Sequence, residues 1–133
     1  MDFIGWEPNE RTLWLLEVKD YTTNRREKSL NIDDEIATKV RDTLAFLLGA
    51  SAMAAPDSAK TDAFATSCLP PKKIRVVLHL EQPCKPSKLF PRIKNIADMT
   101  QLLRRKLRCI DAHPKVVSLI HPATLPWKAE WCP

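Results

Sequence analysis

The sequence is poor in glycine, with only Gly5 and Gly49 among its 133 residues. Loops that cradle phosphate with backbone amides need several glycines close together, so the chain offers no loop of that kind. Long apolar runs are also absent, and no stretch approaches the length of a membrane-spanning helix. No basic-then-apolar leader opens the chain, and we therefore expect a protein that works in the cytoplasm without crossing a membrane.

Cysteine is present, but not in the spacing that metal sites need. None of the four cysteines has a partner at the short separation of a zinc knuckle: Cys68, Cys84, Cys109 and Cys132. His113 and His121 lie near the third cysteine, without a ligand pair to join. The sequence therefore predicts free thiols in a reducing compartment and no structural metal.

Length and charge set the next limits. A chain of 133 residues suits a single domain, residues 1–133, with a hydrophobic core of its own. The net charge is +5, and between Lys72 and Arg108 there are eleven lysines or arginines against two acids. A bias of one sign favours a polyanionic partner, although a solvated, lysine-rich surface explains the charge equally well.

One apolar segment ends abruptly in charged residues. Trp14-Leu15-Leu16 is followed by Glu17-Val18-Lys19-Asp20, and its aromatic and apolar character predicts a buried strand. Side chains alternate along a strand, so Glu17 and Lys19 share one face while Val18 points to the other. A carboxylate and an ammonium together at the end of an apolar strand indicate a site where the carboxylate holds a divalent metal.

A second acid, Asp2, precedes the turn sequence Glu7-Pro8-Asn9-Glu10. With Pro8 and Asn9 as the two loop residues of a β-hairpin, Asp2 faces Leu15. Asp2 and Glu17 are then diagonal neighbours, roughly 7–8 Å apart between their α-carbons, and can share one cation. A loop of four residues keeps the same parity, whereas a loop of three or five reverses it.

The remaining elements alternate between helix and strand. We expect a helix from an N-cap at Asn31 to Gly49, some helical turns within Ala59–Thr66, and a second main helix over about Ile93–Cys109. Further strands are predicted at Ile74–Leu80 and Lys115–Ile120. This order predicts an α/β fold, with a mixed β-sheet flanked by helices.

Asp2 on one strand of a hairpin and Glu17-Val18-Lys19 on the next resemble the signature of PD-(D/E)XK nucleases. The resemblance covers roughly Asp2 to Leu80 and implies a restriction-endonuclease-like core. That family carries a helix and a strand before the aspartate, so we expect either a truncated chain or a second subunit that supplies them. A homodimer or a different partner subunit would fill that role.

What the resemblance implies chemically is metal-dependent hydrolysis of phosphodiester bonds, with DNA as the expected substrate of an endonuclease. Asp2 and Glu17 would bind Mg²⁺ or Mn²⁺, with the Val18 carbonyl as a further ligand. The ion would polarise the scissile phosphate and lower the pKa of a bound water. Lys19 would orient that water or offset charge on the phosphate oxygens. The Gln-x-x-x-Tyr pattern of the RecB-like branch is missing, and the equivalent helix offers Glu35, Lys39 and Arg41 instead.

Basic side chains in the connector after the hairpin and in the second main helix are expected to contact phosphates: Arg25, Arg26, Lys28, Arg104, Arg105, Lys106 and Arg108. Two alternatives to a nuclease stay open. One is a nuclease-like domain that binds nucleic acid without cutting it. The other is a small α/β interaction or assembly domain, in which Glu17 and Lys19 form an ordinary ion pair at the end of a strand.

Overall fold

The computed structural model describes residues 1–23, 26–27, 30–53, 60–88, 91 and 93–130. Within these residues, four strands form one mixed sheet in the spatial order β1-β2-β3-β4. The strands are β1 (Phe3–Glu7), β2 (Thr12–Asp20), β3 (Lys73–Glu81) and β4 (Lys115–Val117). The helices are α1 (Ile32–Met53), α2 (Lys60–Cys68) and α3 (Ile96–Leu107). The predicted α/β fold with a mixed sheet flanked by helices is confirmed.

The first two strands form the predicted hairpin, but with a longer loop. Glu7 pairs with Thr12, so residues 8–11 form a four-residue loop. Arg11 closes it in the left-handed region, with φ 49°, and donates its N–H to the Pro8 carbonyl at 3.2 Å. The expected pairing of Asp2 with Leu15 is therefore wrong. Parity is preserved, and the register that pairs Phe3 with Leu16 brings Asp2 opposite Glu17.

The start of β2 is fixed by β3 rather than by the turn residues alone. β2 and β3 are parallel, and their pairing begins with Thr12 beside Lys73. The Arg11 carbonyl accepts hydrogen bonds from the backbone N–H groups of Lys72 (2.9 Å) and Lys73 (3.2 Å). Because Arg11 is bound to this neighbouring segment, β2 begins at Thr12, two residues later than a Pro8-Asn9 loop predicts.

One face of the sheet carries the hydrophobic core. Leu13 and Leu15 of β2 and Val76 and Leu78 of β3 are buried on this face. α1 and α3 contribute further buried side chains to the same cluster: Ile32, Ile36, Val40, Leu47, Met99, Leu103 and Leu107. Glu17 shares this face and is also buried, so a carboxylate lies at the edge of an apolar core.

The opposite face of the sheet is partly covered by the C-terminal segment. The Trp127 ring packs edge-on against Trp14, with 5.3 Å between ring centroids. Val77 and His79 point to this face and are buried as well. The sequence pattern predicts their direction correctly but not their burial, because the covering segment lacks any periodicity.

Element ends differ from the prediction where a single residue was expected to act as a signal. α1 continues through Gly49 to Met53, because glycine costs only about 1 kcal/mol in a helix and the following alanines favour its continuation. α3 begins later than predicted because Asn95 caps it, accepting a hydrogen bond from the backbone N–H of Asp98 at 2.7 Å. β4 ends at Val117 rather than Ile120.

Two further expectations concern thiols and membranes. Cys68, Cys84 and Cys109 are free thiols, as predicted, and Cys132 lies outside the described residues. None of the helices in the described part of the chain has the length and apolar character needed to span a membrane.

Substitution of Leu15 tests whether the face of β2 that carries Glu17 packs into the hydrophobic core. Its side chain is fully buried, so Leu15→Ala should lower the free energy of unfolding in urea by about 3 kcal/mol. Leu48→Ala is the matched control, because Leu48 is 65% exposed and its loss should change stability by less than about 0.5 kcal/mol. Equal losses for the two variants would contradict the assignment of the core face.

Candidate active site

Asp2, Glu17 and Lys19, the three predicted catalytic residues, come together at one end of the hairpin. Lys19 Nζ lies 2.7 Å from Glu17 Oε1, and Asp2, which directly precedes the Phe3–Leu16 pair, shares Lys39 with Glu17. Glu35 and Lys39 of α1 reach the same place. These five residues are called the strand-end cluster below: Asp2, Glu17, Lys19, Glu35 and Lys39.

Asp2 is held against β2 by both its backbone and its side chain. Its N–H donates to the Leu16 carbonyl at 3.0 Å, and its Oδ2 accepts the Val18 N–H at 2.8 Å. The carboxylate thus extends the ladder of hydrogen bonds by one step beyond β1. Oδ1 lies 4.0 Å from Lys39 Nζ, and the side chain is 39% exposed. The cluster is therefore open to solvent on the Asp2 side.

α1 contributes two charged residues that face the strands. Glu35 and Lys39 are four residues apart and so lie on the same side of the helix. Glu35 Oε1 is 3.2 Å from Lys19 Nζ, and Lys39 Nζ contacts Glu17 Oε1. The sequence analysis assigned these two residues no role beyond their place on the equivalent helix. Their spacing in the sequence could have indicated a shared position on α1. The two residues are four apart, and each directly precedes a buried residue, Ile36 or Val40.

Glu17 is the electrostatic centre of the cluster. Its side chain has no exposed surface, and Oε1 accepts from both Lys19 and Lys39. Its Oε2 is buried without a hydrogen-bond partner. A buried carboxylate is strongly destabilising unless it is paired, and the two ammonium groups of Lys19 and Lys39 supply that pairing for Glu17.

Lys19 remains a cation in this setting. Burial disfavours its ammonium form, but hydrogen bonds and attraction from Glu17, and then from Glu35, outweigh burial and raise the pKa of Lys19. An ammonium that keeps its proton at neutral pH can stabilise negative charge on an oxygen. It is not a proton acceptor.

Arg26, predicted to contact phosphate, is engaged within the protein. Its guanidinium is largely buried and donates to Glu35 Oε2 at 2.8 Å, to the Tyr21 hydroxyl at 2.9 Å and to the Leu30 carbonyl. These donors are engaged inside the protein, so Arg26 supports Glu35 from behind the cluster and does not present itself to a phosphate. Arg25 and Lys28 lie outside the described residues.

The basic residues at the C-terminal end of α3, including its C-cap residue Arg108, divide into two groups. Arg104, Arg105 and Arg108 are exposed on the protein surface. Lys106 Nζ lies 2.7 Å from Asp34 Oδ1, and its hydrogen bond lowers the pKa of that carboxyl. Asp34 directly precedes Glu35, so this ion pair joins the basic end of α3 to the start of α1, next to the strand-end cluster.

The predicted divalent-cation site would use the carboxylates of Asp2 and Glu17. Mg²⁺ prefers carboxylate oxygens and keeps several waters, so two carboxylates can hold it. The unpartnered Glu17 Oε2 and the position of the Lys39 ammonium between both carboxylates indicate a place where positive charge is favoured. Within the described residues, no group of three or more His, Cys, Asp or Glu side chains could hold a metal. The Val18 carbonyl stays a predicted ligand.

Comparison with known proteins assigns no family. No protein-family model matches the chain, and no solved structure matches it significantly. The chain is 36% identical over 108 residues to a protein named cysteine–tRNA ligase from Neisseria meningitidis serogroup A. That match covers 75% of this chain but only 15% of the relative. The similarity therefore concerns a small part of that protein and does not bear on the PD-(D/E)XK resemblance.

Glu35 is expected to be structurally important because it pairs with two cations, Lys19 and Arg26. Glu35→Ala should lower the free energy of unfolding by about 2–4 kcal/mol, since it leaves largely buried positive charges with fewer partners. The matched control is Glu10→Ala, which removes an exposed pair with Lys73 and should cost less than about 0.5 kcal/mol. Urea denaturation measures both, and a neutral Glu35→Ala would contradict the pairing.

Proposed function

We propose that the chain is a metal-dependent nuclease of PD-(D/E)XK type that hydrolyses phosphodiester bonds, with DNA as its substrate. The observation that carries this proposal is the convergence of Asp2, Glu17 and Lys19 on one face at the end of one hairpin. A short motif arises often by chance. Metal-dependent hydrolysis requires two carboxylates and an ammonium close together in space. The spacing of these residues in the sequence does not by itself provide that proximity.

Four residues of the strand-end cluster have a role in this proposal. Asp2 and Glu17 hold Mg²⁺ or Mn²⁺, which when bound polarises the scissile phosphate and lowers the pKa of a bound water. Lys19 offsets negative charge that builds on the phosphate oxygens. Glu35 positions Lys19 through the 3.2 Å ion pair. The half-exposed Asp2 leaves an approach for a phosphodiester from solvent.

The topology supports the same proposal. After Asp2 come the second strand of the hairpin, the helices α1 and α2, and a parallel strand. The resemblance implies a helix and then a strand at this point. Arg104, Arg105 and Arg108 provide exposed positive charge on α3, near the start of α1. The proposal includes a second subunit, either another copy of this chain or a different protein, that supplies the family's additional helix and strand. It also includes a cytoplasmic location.

Cleavage of plasmid DNA in Mg²⁺ or Mn²⁺ tests the proposal. Glu17→Gln and Lys19→Met should each lower the rate by about 100-fold or more, because each removes a charge needed in the transition state. The Glu10–Lys73 pair provides matched controls, since Glu10→Gln and Lys73→Met remove the same groups from an exposed pair distant from the cluster. These controls should retain full activity, and chelation of the metal should abolish it.

Two results would contradict this account. One is a wild-type protein that cuts neither DNA nor RNA in either metal. The other is a Glu17→Gln variant that cuts as fast as the wild type. RNA is included as a substrate because the Neisseria relative is named a tRNA ligase. Cleavage of RNA alone would keep the hydrolytic site and change the substrate.

The second candidate function is nucleic-acid binding without cleavage. What favours it is Lys39, whose ammonium lies between the two carboxylates and compensates their charge without a metal. In this case the exposed arginines of α3 would account for binding, through contacts with backbone phosphates.

Salt dependence of DNA binding tests the role of α3. Arg104→Ala, Arg105→Ala and Arg108→Ala should each weaken binding, and each should reduce the slope of log K against log salt by about 1. Lys73→Ala is the control at a remote exposed lysine and should leave the slope unchanged. Fluorescence anisotropy with a labelled duplex provides the measurement. Identical slopes for all four variants and the wild type would rule out α3 as the binding surface.

A further inference from the structure

Lys39 lies where a cation shared by Asp2 and Glu17 would be expected. Its Nζ contacts Glu17 Oε1 and is 4.0 Å from Asp2 Oδ1. Glu17 Oε1 thus accepts from two lysines, while Oε2 has no hydrogen-bond partner. Lys39 is thus within ion-pair distance of both carboxylates, whereas Lys19 pairs with Glu17 alone of the two.

The two lysines of the strand-end cluster are held to different degrees. Lys19 pairs with both Glu17 and Glu35 and has a side chain that is 16% exposed. Lys39 makes one close ion pair, and its side chain is 34% exposed. Its long, flexible stem starts from α1 and can swing its ammonium towards solvent without moving the helix. Lys39 is therefore the cation that can leave.

We propose that Lys39 is a displaceable counter-cation, which fills the position between Asp2 and Glu17 until a divalent metal replaces it. The inference rests on the proposed function, because that function assigns a metal to these two carboxylates. The ammonium and the metal need the same oxygens, and two cations at this separation repel each other. Metal entry therefore requires Lys39 to leave, and the competition with Lys39 sets the metal affinity.

Mn²⁺ binding to the whole chain tests the exchange. Lys39→Met removes the competing charge and should tighten Mn²⁺ binding by about tenfold or more, as expected from a unit charge only about 4 Å away. Lys39→Gln is a milder second variant that should act in the same direction. Lys73→Met removes an ammonium from the remote exposed pair with Glu10 and should bind Mn²⁺ like the wild type. Titration calorimetry or electron paramagnetic resonance measures the affinities.

A measurement on the unaltered protein guards against variants that fold poorly. In ¹H–¹⁵N spectra of the lysine ammonium groups, addition of Mg²⁺ should shift the Lys39 signal and speed its hydrogen exchange with water. The Lys73 signal should not change. A Lys39 signal that is unaffected by saturating Mg²⁺ would overturn the inference, as would equal or weaker Mn²⁺ binding in both Lys39 variants, or no Mn²⁺ binding in any form.

The exchange and the nuclease activity can fail separately. Mn²⁺ binding that tightens in the Lys39 variants, in a protein that cuts no nucleic acid, would support the exchange and contradict the nuclease proposal. Metal-dependent cleavage combined with an unchanged Mn²⁺ affinity in the Lys39 variants would support the nuclease proposal and contradict the exchange.

Discussion

The carboxyl side chain of Glu17, with no surface exposed to solvent, is the constraint on which this part of the structure depends. A carboxylate at the edge of an apolar core is stable only if positive charge reaches it. Lys19 does so from the same strand, and Lys39 does so from α1. Packing α1 against the sheet is thus inseparable from neutralising Glu17, which couples the fold to the candidate site.

The second constraint is the register of the hairpin. Asp2 lies beside Glu17 because the hairpin loop has four residues. The loop has this length because the Arg11 carbonyl is hydrogen-bonded to Lys72 and Lys73 at the start of β3. A one-residue slip would turn Asp2 to the other face of the sheet. The Asp2 side chain reinforces the register by accepting the Val18 N–H, so the same carboxylate both aligns the strand and faces the cluster.

The sequence predicts the local features of this site well and its non-local ones poorly. Alternation along a strand places Glu17 and Lys19 on one face, and no tertiary information is needed for that. The length of the hairpin loop depends on contacts between Arg11 and residues about sixty positions later, which turn propensities do not contain. Charge pattern likewise cannot distinguish an arginine on the surface from Arg26, which is neutralised inside the protein by Glu35, nine residues away. Gly49 shows the same limit, since its modest helix penalty is outweighed by the residues that follow it.

The proposed activity requires that Asp2 and Glu17 together hold one divalent cation. The most direct test is a crystal of the protein soaked in Mn²⁺, with anomalous scattering used to locate the ion. The account predicts a single strong peak within bonding distance of a carboxylate oxygen of each residue, with Lys39 turned away. A peak elsewhere, or none beside Glu17 at saturating Mn²⁺, would contradict it.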